Sequence, residues 1–495
     1  MEGRALVIRG GRVLDAERGD GGLADILVVG DAIAEVGPPG LAAPPEAEAV
    51  SAAGRLIVPG LVNAHTHGHG ALAKGVGDRW SLELLLNAAS WVAGGLTLDD
   101  KRLAARLNAA EMVRKGATAA YDLFAEFPAP TLEGVEALCQ GYLDVGVRVV
   151  AAPMMADRSF HRAIPGLIAA LPERARGRVD KMRAAPMETS LAACRALLEG
   201  WPFDRERAVP ALAPTIPLHC SDAFMVACRD LAAEHGVGLH MHLAESKVQA
   251  VAGLRTYGKT LTNHIDDLGL LGPSFTAAHG NWLDADDIAR LADRGAWVAH
   301  NPGSNLRLGT GIAPVRALLD AGVGVGVGSD GSVSADSQNL FEAMRLAAFV
   351  SRPIEPDPHD WVSAEEAFRM ATLGGAEALG LAIGRIAPGF KADLVFLDLG
   401  NVNYVPLNDP LNQVVYCEDS SAVAEVMIGG RWVLRDGRFT TFDYDRLVAD
   451  IAAAVERLRA VNAETRRFAE ALADHVRGHC IGLARAPYPV RRVCG

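Results

Sequence analysis

Between residues 60 and 384, short apolar runs alternate with amphipathic stretches. This alternation constrains the chain more than any other feature. Strand candidates are Ala117–Asp122, Arg148–Met154, Val209–Leu212, Gly238–His242, Phe275–His279, Ala296–His300 and Val323–Gly328, and one more ends near His67. Helical stretches such as Asp99–Lys115, Ala223–His235 and Ala285–Arg294 lie between them. Strand followed by helix, repeated, implies a parallel sheet. Eight such units in roughly 325 residues suit an α/β fold closed into a (β/α)8 TIM barrel. A doubly wound open sheet is the competing topology.

The two ends of the chain have a different texture. Residues 1–59 read as short strands, Ala5–Ile8, Arg12–Leu14, Ile26–Val29 and Ile33–Val36, broken by Gly and Asp turns. Short strands return over 385–444, with Gly389–Leu397 and a hairpin around Gly429-Gly430. The two ends can therefore pair into one small β-sandwich domain flanking a barrel over 60–384. From 445 to 495, Leu447, Ile451, Val455, Leu458, Phe468 and Leu472 fall at helical spacing. This tail is expected to pack on the barrel or on a second subunit.

Composition removes several classes. With 48 Lys and Arg against 60 Asp and Glu, the net charge is −12, which lacks the basic footprint of a nucleic-acid binder. No run of 18 apolar residues suggests a membrane span. Met1–Arg4 leads straight into a strand-like run, without the pattern of a signal peptide. The seven cysteines are scattered and form no CxxC pair, so neither a disulfide framework nor a cysteine zinc site is indicated. The expectation is a cytoplasmic enzyme that acts on a small molecule and forms a homo-oligomer, read as a homodimer.

Polar groups gather at the C-terminal ends of the strand candidates, where barrel enzymes place their active sites. His65-Thr66-His67 puts two imidazoles on one strand face, since residues i and i+2 point the same way. Alone, HxH is more often a core or surface pair than a metal site. His240-Met241-His242-Leu243-Ala244-Glu245 closes another strand with histidine and adds a carboxylate three residues on. His279, His300 and Asp330 close three more. Five such groups at five such ends would rarely arise by chance. Three local patterns carry less. Gly253–Thr260 fits the phosphate-loop spacing but does not follow a strand directly. Gly326–Gly331 fits GxGxxG, yet Asp330 would repel pyrophosphate there. His69 lies between Gly68 and Gly70 and reads as a loop residue.

Pro59–His67, His242-Leu243-Ala244-Glu245, His279-Gly280, His300-Asn301-Pro302 and Gly328–Gly331 together resemble the amidohydrolase superfamily. Within it the chain is similar to the branch of deaminases and chlorohydrolases: cytosine, guanine and methylthioadenosine deaminases and triazine hydrolases. The resemblance covers about residues 1–440, including Lys391–Val395. It implies that His65, His67, His242 and Asp330 ligate one divalent metal, zinc or alternatively iron. It implies a water made acidic by that metal, Glu245 as proton shuttle, and His279 orienting the water or polarising the substrate. Asp330 would also accept a proton. Of the strand-five pair, His242 is chosen because Leu-Ala-Glu follows it, leaving His240 to crowd the site or to pack. No lysine lies between Lys181 and Lys247, so the fourth strand cannot supply the bridging lysine of two-metal members, and one metal is expected.

The implied reaction is hydrolytic deamination of an amino-substituted N-heterocycle, of purine, pyrimidine, pterin or triazine type, with loss of ammonia. The alternative is cleavage of another C–N or a C–Cl bond, as in triazine, urea or amide hydrolases. A barrel without chemistry is disfavoured by the intact polar set. Substrate contacts are expected from loops after the strands, with Trp80, Tyr121, His219, His300, Asn301 and Arg307 as candidates. Methylthioadenosine-type deaminases carry Pro-His after strand four, where this chain has Pro214-Thr215. A substrate-binding histidine is then missing or displaced to His219, which favours free bases, pterins and triazines over thioadenosine nucleosides.

Overall fold

The computed structural model describes residues 4–492. Eight parallel strands form the barrel: Leu61–Thr66, Ala117–Ala125, Arg148–Met155, Ala208–Pro214, Gly238–Leu243, Phe275–His279, Trp297–His300 and Gly324–Val327. They lie side by side in chain order from first to eighth. Each sequence candidate coincides with one of them, with small shifts at the ends. The first and eighth strands meet just beyond their pleated portions. The Asp330 backbone N–H donates to the His65 carbonyl at 2.9 Å. The Ser329 N–H donates to Asn63 Oδ1 at 3.0 Å, and Asn63 Nδ2 donates to Ser329 Oγ at 2.7 Å. Gly328 has no alternative at this seam: a side chain there would collide with Asn301 Oδ1 and the His65 backbone.

The barrel strands are rich in Val, Ala and Leu because they are covered on both faces, as parallel strands are. Inside, Val62, Ala119, Leu123, Ala152 and Ala213 pack with Tyr121. Outside, helices such as Leu98–Arg114 and Asp222–His235 cover the strands. They begin at side-chain caps, Thr97 accepting from the Asp100 N–H and Ser221 from the Phe224 N–H. The decoy Gly253 lies inside the helix Lys247–Tyr257, against Leu261, which is not a phosphate cradle.

The strands from the two chain ends join in one nine-stranded mixed sheet. Its central pairing links the ends directly: Arg55–Pro59 runs antiparallel to Leu394–Asp398. A separate core of Ile8, Ile26, Ile33, Ile57, Leu394 and Phe396 holds it. The sheet sits at the N-terminal end of the barrel strands. There Gly60 N–H donates to the Asp393 carbonyl at 2.9 Å, and Arg148, the first residue of strand three, forms a two-pronged ion pair with Asp393 at 2.8 and 3.1 Å. Both partners are buried, and Asp393 also accepts from the Gly429 N–H at 2.7 Å.

The tail forms two helices, Tyr444–Val461 and Ala463–Ala484. The second lies at the opposite, C-terminal end of the barrel. Val476, Cys480 and Leu483 pack with Phe160, Leu167, Val248 and Val251 from loops and helices above strands three and five. Asn87 Nδ2 donates to the Ala469 carbonyl at 2.9 Å, and the Ile312 N–H donates to the Arg492 carbonyl at 2.8 Å. Among the described residues, no helix is long and apolar enough to cross a membrane.

Removing one partner of a buried, hydrogen-bonded ion pair strands the other charge, at about 3–5 kcal/mol. Arg148→Met is therefore expected to lower the unfolding free energy by roughly that amount, measured by urea denaturation. A loss below about 1 kcal/mol, the scale of an exposed pair, would show that the pair does not anchor the sheet to the barrel.

Candidate active site

Strand one delivers His65 and His67, strand five His242, strand six His279, and the turn after strand eight Asp330. All five converge at the C-terminal mouth. His67 Nε2 and His242 Nε2 are 3.2 Å apart, and Asp330 Oδ1 lies 3.2 Å from His67 Nε2 and 3.6 Å from His65 Nε2. Ligand atoms of His65, His67 and Asp330 lie within 4.8 Å of one another, as do those of His65, His242 and His279. Three residues at strand ends adopt left-handed backbone: Ala244 (φ 48°), His279 (φ 72°) and Asp330 (φ 60°). Such conformations cost of order 1–3 kcal/mol each and cluster at functional sites, where the surrounding structure holds them.

Hydrogen bonds fix which ring nitrogens face inward. His67 Nδ1–H donates to the Leu123 carbonyl at 2.7 Å, and His242 Nδ1–H donates to the Thr215 carbonyl at 2.8 Å. Both Nε2 atoms therefore face inward, 3.2 Å apart, where one cation could be shared between them. His65 Nε2 and His279 Nε2 are buried and have no hydrogen-bond partner among the described residues. Burial, with the neighbouring imidazoles, pushes the pKa of His65 and His242 down, so these rings are neutral, the form that ligates. Burial pushes Asp330 up, but His67, His279 and the Ser304 hydroxyl outweigh it and hold the carboxylate ionised. Imidazoles and one carboxylate fit a divalent cation such as zinc, and His65, His67, His242 and Asp330 could hold it, with His279 within reach.

Glu245 stands beside this set, with Oε1 at 3.7 Å from His279 Nε2 and Oε2 buried without a hydrogen-bond partner among the described residues. Burial, then Asp330 and Glu83, push its pKa well above the ordinary carboxyl range. A chain of amides ties it to His279. Asn281 Nδ2 donates to the Glu245 carbonyl at 2.8 Å, and Asn305 Nδ2 donates to Asn281 Oδ1 at 2.8 Å. His279 Nδ1–H donates to Asn305 Oδ1 at 2.9 Å. The Glu245 N–H donates to Gln249 Oε1 at 3.0 Å.

Several partners of the site gave no signal in the sequence. Ser304 Oγ donates to Asp330 Oδ2 at 2.6 Å, and Gln338 Nε2 donates to the Asp330 carbonyl at 2.9 Å. Glu83, on the helix Leu82–Val92, accepts from Ser246 Oγ and Ser81 Oγ, each at 2.8 Å. One turn on, Asn87 Oδ1 lies 3.3 Å from His161 Nε2. Only Ser304 and Asn305 could have been suspected, because they come one glycine after His300-Asn301-Pro302.

The candidate substrate contacts separate into groups. His219 is buried in the turn after strand four, its pKa pushed down to about 4 by burial and His161. Trp80 stands edge-on to Trp91 at 6.0 Å and lies over Gly77. Arg307 Nε donates to Asp336 Oδ2 at 2.6 Å, and its other nitrogens bond the carbonyls of Gly77 and Asp78, so it clamps loops together. Tyr121, His300 and Asn301 are not brought to the mouth. Tyr121 lies within the barrel, packed edge-on against His240. His300 is fully buried, and Asn301 lies behind His279, 3.4 Å from Nδ1. Strand side chains alternate in level as well as face, so these three support the site from beneath. His69 accepts from the Ala125 N–H at 3.2 Å, which commits it to the backbone.

Comparison with known proteins agrees with this geometry. The Amidohydrolase family model matches residues 56–433. A 5'-deoxyadenosine deaminase from Methanothermobacter thermautotrophicus is 31% identical over 458 residues, 92% of this chain and 98% of that protein. A 5-methylthioadenosine/S-adenosylhomocysteine deaminase from Nitratidesulfovibrio vulgaris is 36% identical over 412 residues, 82% of this chain and 86% of that protein. Among solved structures, a zinc-bound adenosine deaminase from Xanthomonas campestris matches with a TM-score of 0.81 and 27% identity, covering 93% of this chain and 99% of that one. An atrazine chlorohydrolase from Arthrobacter aurescens complexed with zinc matches with a TM-score of 0.81 and 28% identity, covering 91% and 100%. With its barrel, its strand-end histidines and aspartate, and a family match over most of its length, this chain belongs to the amidohydrolase family.

Proposed function

We propose that the protein is a metal-dependent aminohydrolase that removes the 6-amino group of an adenosine-type nucleoside as ammonia. The observation that carries this reading is the buried Glu245 carboxyl beside His279 Nε2, next to a cation-fitting set of imidazoles and one aspartate. A divalent metal held there would act as a Lewis acid and make water nucleophilic near neutral pH. Glu245, with its pKa raised by burial, retains a proton that it can deliver to a ring nitrogen; it can then take a proton from the added water, and the remaining water proton can pass to the departing amine, which leaves as ammonia. His279 is held by Asn305 with Nε2 facing the site, where it can orient the attacking water or polarise the ring. Asp330 is fixed by Ser304 and by the Gly331 N–H at 2.7 Å, with one oxygen toward His67.

Thr215 by itself favours free bases and triazines over nucleosides. The named relatives support the opposite order. Thr215 serves the site through its carbonyl, which orients His242. His219 and His161, buried and neutral at pH 7, are a pair that can contact the part of the substrate away from the reacting carbon. The second reading, hydrolysis of a triazine C–Cl bond, is favoured by that same threonine and by the likeness to the chlorohydrolase. We also read the enzyme as a cytoplasmic homodimer with zinc as its metal. Free cysteines at all six described positions and exposed Val448 and Val461 on the tail support the first two points.

A panel of adenosine, 5'-deoxyadenosine, methylthioadenosine, guanine, cytosine and a chlorotriazine separates the readings. Ammonia release from the adenosine nucleosides is expected; chloride release without ammonia would replace the deaminase reading by the second. Glu245→Gln is expected to retain zinc and lose turnover by about 10²–10⁴-fold, and an unchanged kcat would remove the shuttle role. Elemental analysis is expected to find one metal per chain, since strand four carries no lysine. Chelation should lower the melting temperature, because metal at a hundredfold excess over its Kd adds about 2.7 kcal/mol of stability. Two tightly bound equivalents would contradict the one-metal site.

A further inference from the structure

The sequence leaves His240 as a residue that either crowds the site or packs. The structure gives it a specific contact. His240 lies on strand five two residues before His242, on the same face and one step deeper in the barrel. It is fully buried, and its Nε2 lies 3.2 Å from His65 Nδ1. Tyr121 packs edge-on against its ring, with centroids 4.4 Å apart.

The other imidazoles of the site rest their Nδ1 on oxygen: His67 on the Leu123 carbonyl, His242 on the Thr215 carbonyl, and His279 on Asn305 Oδ1. The two carbonyls can only accept, so they force the hydrogen onto Nδ1 and leave Nε2 bare. His65 is different, because its Nδ1 faces a second imidazole, which can accept or donate. If His240 donates, the His65 hydrogen moves to Nε2 and His65 cannot ligate. If His240 accepts, His65 Nε2 is bare, facing Asp330 Oδ1 at 3.6 Å.

We propose that His240 is the positioning residue of the metal site: its bare Nε2 accepts from His65 Nδ1–H and so fixes both the tautomer and the ring orientation of His65. His240 then carries its own hydrogen on Nδ1, which has no hydrogen-bond partner among the described residues. The inference rests on reading His65 as a ligand. Partners that orient a ligating histidine typically account for about 10–100-fold in metal affinity.

The test uses the zinc-loaded wild-type enzyme, His240→Phe, which keeps a ring but cannot accept, and His240→Gln, whose Oε1 can. Zinc affinity is read by competition with a chromogenic chelator, and ligand geometry by the visible spectrum after cobalt substitution. His240→Phe is expected to bind zinc about 10–100-fold more weakly with an altered cobalt spectrum, and His240→Gln to remain close to wild type in both. Equal loss in the two variants, or no loss in either, overturns the proposal. If the wild-type enzyme itself binds no zinc, the reading of the whole site fails, a result distinguishable from the first. Should His240→Phe not fold, nitrogen NMR of the zinc-loaded wild-type enzyme labelled at histidine decides. A hydrogen on His240 Nδ1 is expected, and one on its Nε2 overturns the assignment.

Discussion

The structure depends on one contact: the Asp330 N–H on the His65 carbonyl, where the eighth strand of the barrel meets the first. The same two residues project a carboxylate and an imidazole toward a common point, so the seam of the fold and the floor of the site are one object. Gln338 reinforces it. Its Oε1 accepts from Thr66 Oγ1 and Ser329 Oγ at 2.9 and 2.6 Å, while its amide donates to the Asp330 carbonyl. A ligand set spread across the first and last strands can be held to the tolerance a metal demands only if that seam is rigid.

The site is crowded with groups that repel one another unless a cation is present. Burial removes the water that would otherwise screen them, and it pushes the pKa of His65, His242 and His279 down, toward the neutral ring. Glu245 responds the other way and holds its proton. Opposite shifts in adjacent groups are what acid–base chemistry near neutral pH requires, and here both follow from the same desolvation.

Much of this was legible in the sequence. The eight strands showed as apolar runs, and the candidate ligands as polar residues that end them. Both signals are local: a strand end is readable within a few residues. What was not legible depends on proximity across the fold. Ser304, Asn305 and Asn281 act by bonding to residues from other strands, and only the nearness of Ser304 and Asn305 to His300-Asn301-Pro302 hints at any of them. Glu83 and His161 lie on helices of the connections after strands one and three, away from any strand end that would mark them. The placing of Tyr121, His300 and Asn301 deep in the barrel was illegible for a related reason. Sequence places a residue near a strand end but does not say on which level of the barrel its side chain lies.

The pairing of Arg55–Pro59 with Leu394–Asp398 has a consequence for how the protein is made. The opening strands of the chain leave the ribosome long before the strand that completes their sheet exists. The helix that roofs the barrel mouth emerges later still. For most of its synthesis the chain must keep an unpaired apolar sheet edge from finding the wrong partner, a circumstance that invites aggregation. A prematurely terminated chain would lack the strand that completes the sheet and would carry that edge exposed.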